Sequence, residues 1–324
     1  MTDDTKPRED ADHGRYAQSP SQLPARGLRD VLWRVYSEVL ADRVTLVAAG
    51  ATYFILLSLF PGMGLLVSIY GFISDPADLA LQMGFLGDIL PPGTFGLILP
   101  QLEALVSKGK SELSFAFGLS LMLAFWSATS GVKALFDAMN IAYGETEKRS
   151  FMRLNLLAFG FTLAAILVIM LLTAIIGILP LVLEALYLDQ WTEFLAKIAR
   201  WPFVLLLTGG ATIVIYRYGP SREKAKLRWL TWGAAFSTLT WAITTIGFSI
   251  YLLNFASYNA TYGALGAFVG FMVWTWLSIT ILIVGAELNA ELEHQTTCDS
   301  TTGAPVPMGE RGAVMADTVG EAAR

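Results

Sequence analysis

Residues 158–179 read AFGFTLAAILVIMLLTAIIGIL, 22 residues without a charged side chain. A helix rises about 1.5 Å per residue, so roughly 20 apolar residues cross the ~30 Å hydrocarbon core of a bilayer. Extended back to Leu154 and ended by Pro180, the stretch reads as a membrane span, residues 154–179. The whole chain agrees with it. It is 54% hydrophobic and only 15% charged, with a mean hydropathy of +0.54, where soluble domains carry about 25% charged residues. A transmembrane β-barrel would need ~10-residue alternating segments, and these runs are continuous. The chain is placed among multi-span α-helical membrane proteins.

Working outward, five more spans appear. Span 1 covers 44–73 and contains Pro61 and Gly62, which predict a break in the helix because proline removes a helical hydrogen bond. Residues 74–112 carry Asp88, Pro91, Pro92 and Pro100 and read as short re-entrant or interfacial helices. Span 2 covers 113–132. An amphipathic connection over 181–200 precedes span 4 at 201–218, span 5 covers 229–253 and span 6 covers 263–286. The fold class is therefore all-α: residues 44–293 form a bundle of six transmembrane helices. Ahead of it, residues 26–43 place Leu28, Val31, Leu32, Val35 and Val39 at helical spacing, with Asp30, Arg34, Ser37 and Glu38 elsewhere on the wheel. This predicts an amphipathic helix on the membrane surface, or one packed on the loops of the bundle. The polar ends, 1–25 and 294–324, are expected to be disordered tails.

Six spans put both termini on one side. With that side cytoplasmic, 18 of the 22 Lys and Arg lie inside, and only Lys108, Lys110, Lys197 and Arg200 lie outside, beside eight Asp and Glu. Positive charge favours the cytoplasmic face, so the expected topology is multi-pass with both termini cytoplasmic. One extra span within 74–112 would bring Lys148, Arg149 and Arg153 to the side of Asp75 and Asp78, against that bias.

Polar residues within this apolar frame are the candidates for function. Residues 125–143, FWSATSGVKALFDAMNIAY, run from a span into Lys133, Asp137 and Asn140. Lys133 and Asp137 share a helix face near the inner boundary, where they form either an interfacial ion pair or part of a polar vestibule. Glu287 and Asn289 close span 6 in IVGAELNAELE, either as a solvated boundary or as buried partners for cations such as Lys133 or the basic loop. That loop holds Arg217, Arg222, Lys224, Lys226 and Arg228, and would hold anionic headgroups at roughly 1 kcal/mol per basic residue. The expected partners are membrane lipids, anionic inner-leaflet headgroups above all. A homo-oligomer stays open. Nucleic-acid binding is not expected, because the loop lacks interleaved aromatics.

Catalysis finds little support. The one cysteine, Cys298, and the two histidines, His13 and His294, lie outside the apolar core, so no metal site or cofactor is expected. No phosphate-binding loop, GxSxG, HExxH or dinucleotide fingerprint occurs.

Three stretches converge on a family. AAGATYFILLSLFPGMGLLVSIYG, FWSATSGVKALFDAMNIAYG and YNATYGALGAFVGFMVWTWLSITILIVGAELNAELE resemble the YihY/BrkB family over residues 28–293. The resemblance implies a six-helix integral protein of the bacterial cytoplasmic membrane. Members have also been labelled ribonuclease BN, a label the missing His/Asp cluster argues against. The expected activity is transport or lipid and envelope handling; the alternative is a non-transporting envelope scaffold or assembly factor.

Overall fold

The computed structural model describes residues 10–71, 115–173, 190–254 and 264–323. After a 3-10 turn at Pro20–Gln22 come α1 (Ala25–Ala41), α2 (Val44–Gly71), α3 (Phe115–Ala142), α4 (Phe151–Thr173), α5 (Gln190–Tyr218), α6 (Leu227–Asn254), α7 (Ala264–His294) and a short α8 (Val314–Asp317). Among the described residues no strand forms, only an isolated antiparallel bridge between Ala225 and Thr301. Four segments are long and apolar enough to cross a membrane: Phe151–Leu171, Trp201–Tyr218, Leu227–Leu252 and Phe268–His294. The pair α1 and α2, bent by 59° at the Asp42–Arg43 break, makes a fifth when counted as one span.

Helix α7 is the centre of the bundle. It packs against α1, α2, α3, α6 and α8, while α2 lies on α3, α3 on α4, and α5 on α6. The main core is small and aliphatic: Val44, Ala48 and Ala51 of α2 meet Ala138 and Met139 of α3 and Ile279, Ile283, Ala286 and Ala290 of α7. Alanines let the backbones approach closely, which is how helices gain dispersion contact where lipid offers no hydrophobic drive. Helices α6 and α7 approach closely at their glycines. A Cβ on Gly233 would strike the Gly285 carbonyl, and one on Gly285 would strike the Ser237 hydroxyl.

Several boundaries differ from the expected ones. Helix α2 is continuous through Pro61 and Gly62, so the break predicted there is not formed. Bundled helices tolerate proline when neighbours satisfy the freed carbonyl. The bend sits instead at Asp42–Arg43, where Arg43 has a left-handed φ of 50°. Helix α5 begins at Gln190 and carries Pro202 inside it, so the end of the expected connection and span 4 are one element. Helix α3 runs past residue 132 to Ala142, where Gly144, at φ 61°, ends it. Gly144 N–H donates to the Ile141 carbonyl and Glu145 N–H to that of Asn140, the closing pattern of a left-handed helix terminus. The expected re-entrant stretch, 74–112, lies outside the described residues.

The tails are a larger correction. Residues 10–25 and 294–323, expected as disordered, fold onto the polar end of the bundle. Ala17 and Leu23 pack with Val31, Val35, Trp229 and Leu292 in a second core. Arg15 donates to the Gln295 and Gly320 carbonyls, and Thr296 donates to the Ala17 carbonyl. Composition misleads here because the tails add few apolar groups of their own. They bury polar groups against partners that the bundle supplies.

Helix α1 keeps most of the expected stripe inward: Val31 and Val35 are buried and Leu28 and Val39 pack against the same core, with the buried Asp30 and Arg34 beside them. Leu32, Trp33, Tyr36 and Leu40 are exposed together with Arg26 and Arg29.

Candidate functional site at the polar end of the bundle

The last two turns of α7, ELNAELEH, bury four polar side chains: Glu287, Asn289, Glu291 and Glu293 are each at most 1% exposed. A buried carboxylate is costly unless it is paired and hydrogen-bonded. Glu291 pairs with Arg34 of α1, whose guanidinium also donates to the Gln295 side chain at 2.6 Å and to the Glu321 carbonyl at 2.6 Å. Next to it, Asp30 accepts from His13 and from the Ala323 N–H. Burial alone would raise the Asp30 carboxyl, but these bonds outweigh it and hold it below the usual range. Glu293 pairs with Arg222 at 2.6 Å and accepts from Ser300 at 2.7 Å, while the Arg222 guanidinium lies 4.8 Å from the centre of the Tyr143 ring.

Two amides act as clamps. Asn289 accepts from the Gly233 N–H at 2.8 Å and donates to the Leu230 carbonyl at 3.1 Å, fixing the first two turns of α6 to α7. Asn140 accepts from the Ser221 N–H at 2.7 Å and donates to Glu147 at 3.2 Å. Arg149 joins this second clamp, pairing with Glu147 at 2.6 Å and donating to the Tyr218 and Gly219 carbonyls. Burial would raise the Glu147 carboxyl, yet the bonds from Arg149 and Asn140 bring it down to about 2.

The expected vestibule of Lys133, Asp137, Asn140, Glu287 and Asn289 is therefore not one cluster. Asn140 and Asn289 are spent on separate backbone clamps. Lys133 donates to Asn155 of α4 at 3.1 Å and lies 5.3 Å from the Trp126 ring, and no ion pair joins it to Asp137. Asp137 is exposed on α3. Glu287 is not a solvated boundary: it is buried, and its Oε1 has no hydrogen-bond partner. The basic loop is only partly free. Arg222 is committed to Glu293 and Lys226 donates to the Asp299 carbonyl at 2.7 Å. Arg217 and Lys224 both lie against the Tyr218 ring, while Lys224 and Arg228 are exposed. Sequence reasoning missed Asp30, Arg34, Glu291, Glu293 and Gln295. The repeat of Glu287 and Glu291, and of Asn289 and Glu293, four residues apart on a helix was the available signal. Among the described residues, no group of three His, Cys, Asp or Glu could hold a metal ion.

Comparison with known proteins now places the chain. The family model described as virulence factor BrkB matches residues 35–308. YfkH of Bacillus subtilis (strain 168), named only as ribonuclease-like, is 33% identical over 260 residues, which is 76% of this chain and 90% of that protein. A UPF0761 membrane protein of Vibrio vulnificus (strain YJ016) is 26% identical over 258 residues, 78% of each chain. Another, from Idiomarina loihiensis, is 31% identical over 109 residues, 33% of this chain and 38% of its own length. No solved structure matches. With a family match across most of its length and relatives named as membrane proteins, the chain belongs to the BrkB family of membrane proteins.

Proposed function

We propose that the chain is a six-span protein of the bacterial cytoplasmic membrane, with both termini cytoplasmic, that handles lipid at the inner leaflet. The observation that carries this reading is the outward face of α1. Leu32, Trp33, Tyr36 and Leu40 are 47–69% exposed, and Arg26, Arg29 and Arg43 flank them. An apolar, aromatic and arginine-bearing face of this kind lies at a headgroup boundary, where aromatics favour the interface and arginines meet phosphates. Phe151 and Met152, at the start of α4, extend the exposed apolar surface at the same end, beside Arg153. Lys133 and Asp137 then sit toward the inner leaflet rather than within an internal conduit, within reach of a zwitterionic or anionic headgroup.

The test is lipid or solute flux in liposomes containing the purified protein. Lys133→Ala and Asp137→Ala should insert normally and lose flux; normal flux in both removes these residues from the reading. The folded tails favour a second reading, a scaffold, because they give the polar end a fixed surface. A stable partner copurifying in mild detergent would support it, and a clean monomer or homo-oligomer would count against it. A nuclease role is not favoured, and purified protein with a tRNA precursor should give no metal-dependent cleavage.

A further inference from the structure

The segment 318–323 meets the bundle as a bound peptide would. Among the described residues, its hydrogen bonds to α1, α7 and the N-terminal turn all run through its main chain. Gly320 N–H donates to the His294 carbonyl at 2.9 Å, and the Gly320 carbonyl accepts from Arg15 at 2.6 Å. The Glu321 carbonyl accepts from Arg34 at 2.6 Å, and Ala323 N–H donates to Asp30 at 3.0 Å. Thr318, Val319, Glu321 and Ala322 are exposed, while Gly320 is buried. A Cβ on Gly320 would come within 2.5 Å of Arg34 Nε and 2.6 Å of its Cζ, so the guanidinium leaves room for glycine alone. The groove that receives the segment has its own supports: Arg34 is held by Glu291 and Gln295, and Asp30 by His13.

Residues 306–317, just before it, are held differently. Arg311 donates to the Val306, Ala316 and Thr297 carbonyls, and Asp317 accepts from the Gly309 and Arg311 N–H groups. Ala313 and Ala316 are buried, Met315 packs against the main core, and Val314 N–H donates to Glu145 at 2.8 Å. This part is braced by its own side chains, whereas 318–323 has no buried apolar side chain. Segments with few buried apolar contacts open first. We propose that the groove formed by Arg15, Asp30, Arg34 and the end of α7 is a peptide-docking site that reads main chain and one glycine, and that its occupant is the chain's own segment 318–323, a latch that leaves while 306–317 stays. Main-chain hydrogen bonds supply the affinity, as they do when an extended peptide joins a sheet edge, and contact with Arg34 selects glycine. Closed, the latch joins the two ends of the chain across α1. Opening frees N–H groups of Arg15 and Arg34 and leaves the Arg34–Glu291 pair in place. The inference stands apart from any transport or lipid role.

The experiment is hydrogen exchange read by mass spectrometry on the full-length protein, in lipid nanodiscs that hold one copy each. Wild-type amides over 318–323 should be protected, yet exchange at a separate and faster rate than those over 311–317. Gly320→Val should speed exchange over 318–323 by about tenfold, the effect of losing one or two hydrogen bonds, and leave 311–317 unchanged. Arg15→Gln should act in the same direction and less, because Arg34 and Asp30 keep their bonds. Glu321→Gln and Ala322→Ser alter exposed side chains that the groove does not read, so both should exchange as wild type does. Absence of protection over 318–323 in the wild type overturns the proposal, and so does a single common rate across 311–323. Gly320→Val exchanging like wild type removes the glycine seat, and Glu321→Gln or Ala322→Ser matching the effect of Gly320→Val removes main-chain reading. Protection that appears only in nanodiscs holding two copies makes the occupant the tail of a second copy and overturns the assignment to the same chain. The wild-type rates decide even if a variant fails to fold.

Discussion

The two halves of α7 satisfy their hydroxyls and their carboxylates in opposite ways. In the apolar half, the hydroxyls turn back on their own helix: Thr275 donates to the Phe271 carbonyl, Ser278 to that of Trp274 and Thr280 to that of Trp276. In the polar half, each buried group reaches far along the chain. Glu291 meets Arg34, 257 residues away, Glu293 meets Arg222, 71 away, and Asn289 meets Gly233, 56 away. A hydroxyl can be satisfied by its own helix, so it places no demand on tertiary structure. A carboxylate can only accept, and the helix interior offers it no free donor. The hydroxyls of the apolar half therefore tolerate changes in what surrounds them, although the Trp274 and Trp276 indoles still donate to Thr245 and to the Thr45 carbonyl, while the polar half holds only if the tails, α1 and the 217–228 loop arrive together.

The sharpest way to break this contrast is Arg222→Met. It leaves Glu293 buried and without its cation, and should destabilise by about 3–5 kcal/mol. Chemical unfolding in detergent measures it, and adding Glu293→Leu should restore much of the loss, because the uncompensated charge is then gone. Survival of Arg222→Met with unchanged stability would show that the pair is not buried as described. Gly285→Val comes next. Its branched side chain meets the Ser237 and Tyr216 hydroxyls and the Gly233 carbonyl, and it should cost about 1–3 kcal/mol by forcing α6 from α7. Thermal unfolding combined with crosslinking between α6 and α7 would separate this from local strain.

A smaller effect belongs to the Glu147–Arg149 clamp. A carboxyl held at about 2 contributes stability that is complete above the ordinary glutamate range and is lost as pH falls toward about 2. Arg149→Ala should flatten the acid limb of the Tm–pH curve. An identical acid limb in the variant would assign that loss elsewhere. The smallest change is expected from Lys133→Ala and Asp137→Ala, each within about 0.5 kcal/mol of wild type, since neither closes an ion pair with the other. A large loss in either would mean that the α3 surface is a packed interface.

Much of the architecture was legible in the sequence, for a physical reason. Residues 154–173 must be a helix in lipid, because only a helix satisfies its own backbone where there is no water. The end of α3 at Ala142 was legible in principle from Gly144, though the expected span stopped at 132 because length was judged by bilayer thickness. The helix running through Pro61 was not legible. Proline shows which hydrogen bond is lost but not whether neighbouring helices make up for it.

The candidate site divides along the same line. The sequence determined that Glu287, Asn289, Asn140 and Lys133 lie at the polar ends of apolar helices, because hydropathy is a local property. It could not tell a solvated end from a buried one. That was decided by tertiary structure, through two tails of unremarkable composition and a basic loop that supplied Arg222. Burial of a charge depends on what covers it, and what covers ELNAELEH comes from residues 13–34, 222 and 300–323.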